Sequence, residues 1–180
     1  MRKWKFSWRI FWENFVFFHE GDYYKMPTAL AKNTIYKRVD SYEKVCSSHE
    51  IITKYFGKIT KIPETEVERD GNTDYIIKQK SIDWKKLQKK DLENNPKLLS
   101  KFKRLIIANE IMRRNEWVFL DLLGSDIVAH PQTIHNLLTD GKDIYVFDFG
   151  LLQRTSDNTF FRYLSHFVQK GQLLFVKYFF

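Results

Sequence analysis

The sequence predicts an α+β fold in two small lobes, the first rich in strands with one helix and the second mainly helical. Three observations lead there. As far as residue 82, β-branched and aromatic runs alternate with turn chemistry around a single stretch of helical pattern. From Asp83 the pattern becomes helical and basic through "DWKKLQKKDLENNPKLLSKFKRLIIANEIMRRN". Finally, 180 residues, 43% of them hydrophobic and including 16 Phe, 9 Tyr and 5 Trp, supply enough apolar material for a packed core. The expected division is an amphipathic N-terminal segment over 1–20, a first lobe over 21–82 and a second over 83–180. No internal repeat or low-complexity tract is visible.

The N-terminal "MRKWKFSWRIFWENFVFF" places Trp4, Trp8, Phe11, Trp12 and Phe15 near a 3.6-residue period among Arg2, Lys3, Lys5 and Arg9. This is the pattern of a basic amphipathic helix able to lie on an anionic membrane, or of a terminal segment packed on its own domain. Arg9 and Glu13 interrupt it, and it falls short of the ~20 apolar residues a membrane crossing needs. It also lacks the small-residue cleavage site of a secretory signal, so the expected location is cytoplasmic, with a peripheral position on the inner face of the membrane as an extension.

"EGDYYKMPTALAKNTIYKRV" reads as two short strands around a turn, the second over Thr34–Val39. "SYEKVCSSHEIITKYFGK" is helical, with Val45, Ile51, Ile52, Tyr55 and Phe56 on the apolar face and Gly57 as its stop. "TEVE" and "DYIIKQ" flank Asp70-Gly71-Asn72 and form a hairpin. The stretch from Asp83 then reads as a short helix, a break at Pro96 and a longer helix ending near Asn115. "EWVFLDLLG" is a buried strand, and "SDNTFFRYLSHFVQKG" a last helix, capped at Ser156 or Asp157 and stopped by Gly171.

Composition narrows the chemistry. A single cysteine, Cys46, leaves no internal disulfide framework and no thiolate zinc cluster. Thirty Lys and Arg against 22 Asp and Glu give a formal charge of +8, which favours an anionic partner. The basic stretch "KLLSKFKRLIIANEIMRR" raises nucleic acid as such a partner, but cations on a helix more often form a solvated face, and nucleic acid is not expected.

"HNLLTDGKDIYVFDFG" carries the most specific pattern: Asn136, an apolar run, a glycine turn, a second apolar run and then Asp148-Phe149-Gly150, with Asn136 and Asp148 twelve positions apart (148 − 136). This layout resembles the protein-kinase-like superfamily, whose members hold Mg²⁺ with an Asn and the Asp of Asp-Phe-Gly on either side of a β-hairpin. The resemblance covers residues about 21 to 167. It implies a reduced two-lobed kinase-like fold that binds ATP with Mg²⁺ and transfers phosphate to a hydroxyl, a reaction in which the protein chiefly positions groups and stabilises charge. It also implies a role for each matched residue. Asn136 and Asp148 would be hard oxygen ligands to Mg²⁺. Lys37, in "NTIYKRV", stands where the family keeps the phosphate-contacting lysine of Val-Ala-Ile-Lys. Its partner would be Glu50, thirteen positions on (50 − 37), with Glu43 as the alternative.

The chain departs from the family in its catalytic loop. The pattern His-Arg-Asp-x-x-x-x-Asn would need Asp at position 131, which is Pro. Asp121, fifteen positions before Asn136 (136 − 121), is the first candidate for the base that orients the acceptor, Asp126 is the second, and loss of the base is the third reading. "AHPQTIHN" is similar to the His-Pro-x-x-Asn loop of small sugar and antibiotic kinases. His130 and His135 suggest loop polarity or acceptor contact more than a metal site, because no third ligand converges with them. Only Gly21 stands where the family usually has several glycines. After Asp-Phe-Gly, thirty residues follow (180 − 150), without Ala-Pro-Glu. A regulated protein kinase is therefore not expected. The basic balance and "GDYY" resemble bacterial kinases of lipopolysaccharide core sugars, which implies a glycolipid or other small hydroxyl acceptor and an anionic membrane surface as partner. The competing expectation is a catalytically inactive pseudokinase that uses its basic surface for binding.

Overall fold

The structure, a computed structural model, describes residues 9–10, 14–27, 41–122, 133–147 and 153–154, with the single positions 167, 170, 171 and 174. It is an α+β protein that divides into two compact units, one formed by Met1–His49 with Pro63–Ile82 and the other by Glu50–Ile62 with Asp83–Phe180.

The first unit is built on an antiparallel sheet. Its strands are β1 (Arg9–Ile10), β2 (Asn14–His19), β3 (Asp22–Pro27), β4 (Thr65–Asp70) and β5 (Asp74–Lys80), in the order β1-β2-β3-β5-β4. The pairing His19↔Asp22 leaves Glu20 and Gly21 as a two-residue turn, and both have positive φ, 50° and 95°. That is the turn whose twist matches a hairpin, and glycine takes its second position without strain. Here the structure corrects the sequence reading: the described part of the N-terminal segment is strand, not amphipathic helix. Its aromatic residues pair across the hairpin instead of lining a helix face, with Phe17 stacked on Tyr24 at 5.0 Å and Phe18 tilted against Tyr23 at 5.1 Å. On β5, Tyr75, Ile77 and Gln79 are buried and alternate with more exposed neighbours.

Helix α1 (Tyr42–Phe56) follows the sequence expectation, with Val45, Ile52 and Phe56 fully buried. It stops where expected as well. A Cβ on Gly57 would lie 2.6 Å from the Thr53 carbonyl oxygen, so the residue after the last turn must be glycine. The residues Tyr42–His49 cluster with the first unit and Glu50–Phe56 with the second.

In the second unit, β6 (Lys85–Gln88), β8 (Thr133–Thr139) and β9 (Ile144–Val146) form an antiparallel sheet in the order β6-β8-β9, and β7 (Val118–Phe119) pairs with β10 (Gln153–Arg154). Lys85–Gln88 was expected to be helical. It is a strand because Leu87, fully buried, pairs opposite Ile134, a tertiary contact that overrides local propensity. Helix α2 (Lys89–Glu93) starts directly after it, where the Asp91 carboxylate accepts from the Gln88 amide at 3.0 Å. Helix α3 (Pro96–Glu116) has Pro96 in its first turn and Asn95 as N-cap, accepting from the amides of Lys97 and Leu98 at 3.1 and 3.2 Å. The proline that breaks one helix is thus at the start of the next.

Two further expectations shift. Glu116 is still helical and Trp117 takes a left-handed φ of 57°, so the strand expected over "EWVFLDLLG" shortens to β7. Gly171 is itself helical, so it does not stop the last helix. The strand expected over Thr34–Val39 and most of the last helix lie outside the described residues.

Candidate functional site

The sequence places Asp121 immediately after a buried strand, and in the second unit that end of the strand is pinned from α3. Asn109, 1% exposed, donates from Nδ2 to the Leu120 carbonyl at 2.8 Å, and its Oδ1 accepts from the Leu120 amide at 2.9 Å. A side-chain amide offers the donor and acceptor that a backbone unit needs, so this bidentate clamp satisfies the Leu120 backbone as a strand neighbour would. Leu120 and Leu122 are buried on either side of the half-buried Asp121.

Asn136 lies within β8, not ahead of a strand as its sequence context suggests. Its Nδ2 donates to the Asp121 carbonyl at 2.5 Å, so two positions fifteen apart in sequence (136 − 121) meet. The β8–β9 register runs Leu137↔Val146, Leu138↔Tyr145 and Thr139↔Ile144 and ends there, one residue short of Asn136 on β8 and of Phe147 on the other chain segment, where β8 also breaks register with β6. Asp148 follows Phe147 in the chain. The β7–β10 register, Phe119↔Gln153 and Val118↔Arg154, brings the chain beyond Asp148-Phe149-Gly150 back alongside the strand that leads to Asp121.

The far end of the hairpin is equally built. Asp140 accepts from the amides of Lys142 and Asp143 at 2.8 and 2.7 Å, and from the Tyr145 hydroxyl at 2.9 Å. Burial raises the Asp140 pKa, but these donors outweigh it and hold the carboxyl below its ordinary range. Burial first, and then the bond to Asp140, pushes Tyr145 up to about 12. The turn is fastened to the start of α3 by Asn95, which donates to the Gly141 carbonyl at 3.2 Å, and by a salt bridge from Lys101 to Asp143. On the other side of β9, Lys61 donates to the Ile144 carbonyl at 2.8 Å and accepts from the Val146 amide at 3.1 Å. Phe147 packs against Trp84 with ring centroids 5.8 Å apart.

In the first unit, Glu50 lies exposed on α1. Glu43, its alternative, is engaged by Arg69, whose guanidinium also lies 4.5 Å over the Tyr42 ring. Lys37, Asp126 and Asp148 lie outside the described residues, so of the six residues singled out from sequence Glu50, Asp121 and Asn136 are described. Two of them, Asp121 and Asn136, are brought together.

One cation was missed. Lys25 on β3 is 7% exposed and pairs opposite Ile77, so it shares the buried face of the sheet with Tyr75 and Gln79. Lysine is rarely so buried unless it is partnered, and Lys25 does have a partner within the structure. Its signal in sequence is a charge inside the strand "DYYKMP", easily taken for a solvated strand residue. Among the described residues, no group of three or more His, Cys, Asp or Glu could hold a metal ion, and no helix is long and apolar enough to cross a membrane.

No family model matches the chain, and neither a curated protein nor a solved structure matches it.

Proposed function

We propose that the protein is an ATP- and Mg²⁺-dependent phosphotransferase of the kinase-like class that acts on a hydroxyl acceptor, a lipopolysaccharide core sugar or another glycolipid. The observation that carries this reading is the bond from Asn136 to the Asp121 carbonyl, at a point where two independent strand pairings bracket the segment from Phe147 to Gln153. Asn136 fits the metal in chemical terms. Its nitrogen is spent on Asp121, which leaves its oxygen, the atom a hard cation requires, as the available end of the amide. Asn136 and Asp148 would hold Mg²⁺, whose contribution when bound is to neutralise charge on the nucleotide phosphates. Asp121 orients the acceptor hydroxyl, with Asp126 as the second candidate. The phosphates are held by Lys37, supported by Glu50, or by Lys25, whose buried place on β3 next to β5 makes it an equal candidate.

The test is a thermal-shift titration with ATP, with and without Mg²⁺, on the wild type, Asp148→Ala and Asn136→Ala. A Mg²⁺-dependent rise in Tm that both substitutions abolish is expected, and it would justify an acceptor screen. No rise in the wild type, or an equal rise in the variants, overturns the reading. The alternative is a catalytically inactive binding module, favoured by the two-residue Glu20-Gly21 turn in place of a glycine-rich phosphate loop. Nucleotide binding without any phosphate release over a long incubation would select it.

A further inference from the structure

Helix α3 buries one face and leaves the other carrying two isoleucines. At ~100° per residue, Leu98, Phe102, Leu105, Ala108, Asn109 and Met112 form the buried side. On the far side Ile107 and Ile111 are successive turns of one stripe, 57% and 47% exposed. Exposed cations flank that stripe on both sides, with Lys103 and Arg114 on one and Lys97 and Arg104 on the other. Trp117 follows the helix end and is 53% exposed. Glu110, the acidic residue of this region of the helix, is already engaged by Arg113 and Arg114. Lys97, Lys103 and Arg104 make no salt bridge among the described residues.

We infer that this face of α3 docks on an anionic lipid surface, with Ile107, Ile111 and Trp117 entering the headgroup boundary and the flanking cations meeting the lipid phosphates. An apolar stripe bordered by Lys and Arg, with an indole at its end, is the composition of a helix face that lies in a membrane interface. Nucleic acid would reward the cations alone and leave the isoleucines unused, since its affinity comes mainly from phosphate contacts. Docking needs no nucleotide, so the inference stands apart from the phosphotransferase reading.

Co-sedimentation of the full chain with phosphatidylcholine vesicles, with and without phosphatidylglycerol, tests it. The variants are Ile107→Ser with Ile111→Ser, and Lys103→Glu with Arg104→Glu. All four side chains are exposed, and an unchanged Tm checks that each variant folds. Binding is expected only to the phosphatidylglycerol vesicles, and either pair should weaken it roughly tenfold or more. Equal binding by wild type and both variants would place membrane contact elsewhere on the chain and overturn the inference. So would equal binding to uncharged vesicles, or salt-sensitive binding to a short DNA duplex with none to vesicles.

Discussion

Asn109 and Asn136 are two amides in different surroundings, and their substitution should separate stability from the function proposed above. Removing the Asn109 side chain strips the Leu120 amide and carbonyl of their partners in a site where Leu120 is 1% exposed. Asn109→Ala should therefore cost about 2–4 kcal/mol, read as a lower urea midpoint at unchanged slope. A loss below about 1 kcal/mol would mean that water or a backbone shift supplies both bonds. Asn136 is only half-buried, and its one side-chain bond among the described residues goes to a carbonyl that retains a second lone pair, so Asn136→Ala should leave the midpoint nearly unchanged and, under the proposed function, abolish a Mg²⁺-dependent response to ATP. At this scale the sequence was informative where residue type and order carry the chemistry. Asn136 and Asp121 were picked out in the sequence because the amide precedes Asp-Phe-Gly at hairpin spacing and the carboxylate closes an apolar run, and what the structure adds is that the two positions meet. Lys25 was not, because nothing local distinguishes a buried strand lysine from a solvated one until the partner strand is known.

At the scale of the element, the β8–β9 turn predicts a pH signature. Tyr145 is raised to about 12, so its contribution to stability is fully present below the unfolded value of about 10 and is lost as pH rises through that window. Asp140 is lowered, so its contribution is present above the unfolded value of about 3.9 and is lost as pH falls through its folded value. Tyr145→Phe should flatten the alkaline loss of stability and Asp140→Asn the acid loss, each measured as urea midpoint against pH. Parallel curves for wild type and Tyr145→Phe would show that the hydroxyl bond to Asp140 does not link to folding. Elements were legible in sequence to the extent that their signals are local. Asp70-Gly71-Asn72 announces its hairpin, and the α1 stripe ends at a glycine that sterics require. β6 was misread because its partner is distant in sequence, and β2 because its aromatic spacing also fits a helix and only pairing across the Glu20-Gly21 turn decides between the two. Phe17 and Phe18 needed Tyr24 and Tyr23, and Leu87 needed Ile134, 47 positions on (134 − 87).

At the scale of the whole molecule, burial among the described residues differs between the two units. Among the described residues, the buried apolar side chains of the first unit are Pro27, Val45, Pro63, Tyr75 and Ile77, whereas the second holds Leu87, Phe102, Leu105, Met112, Ile134 and Leu137 among others. A unit with fewer buried apolar groups opens at lower free energy. Amides of β4 and β5 should therefore exchange with deuterium faster than those of α3 and β8, and the reverse order would contradict this distribution of burial. Nucleotide sharpens the test. A ligand present at 100 times its Kd stabilises the binding-competent state by about 2.7 kcal/mol, or roughly 100-fold in the opening equilibrium. If Lys25 contacts the phosphates, ATP with Mg²⁺ should slow exchange along β3 and β5 up to that limit. Lys25→Met keeps the length of the buried stem without its charge and should abolish the slowing. Slowed exchange around Asn136 with β3 and β5 unaffected would instead remove Lys25 from the site and leave Lys37 as the phosphate lysine. The two candidates stand twelve positions apart (37 − 25), and this measurement distinguishes them because the effect is read on the strand that carries Lys25 and on the strand paired with it.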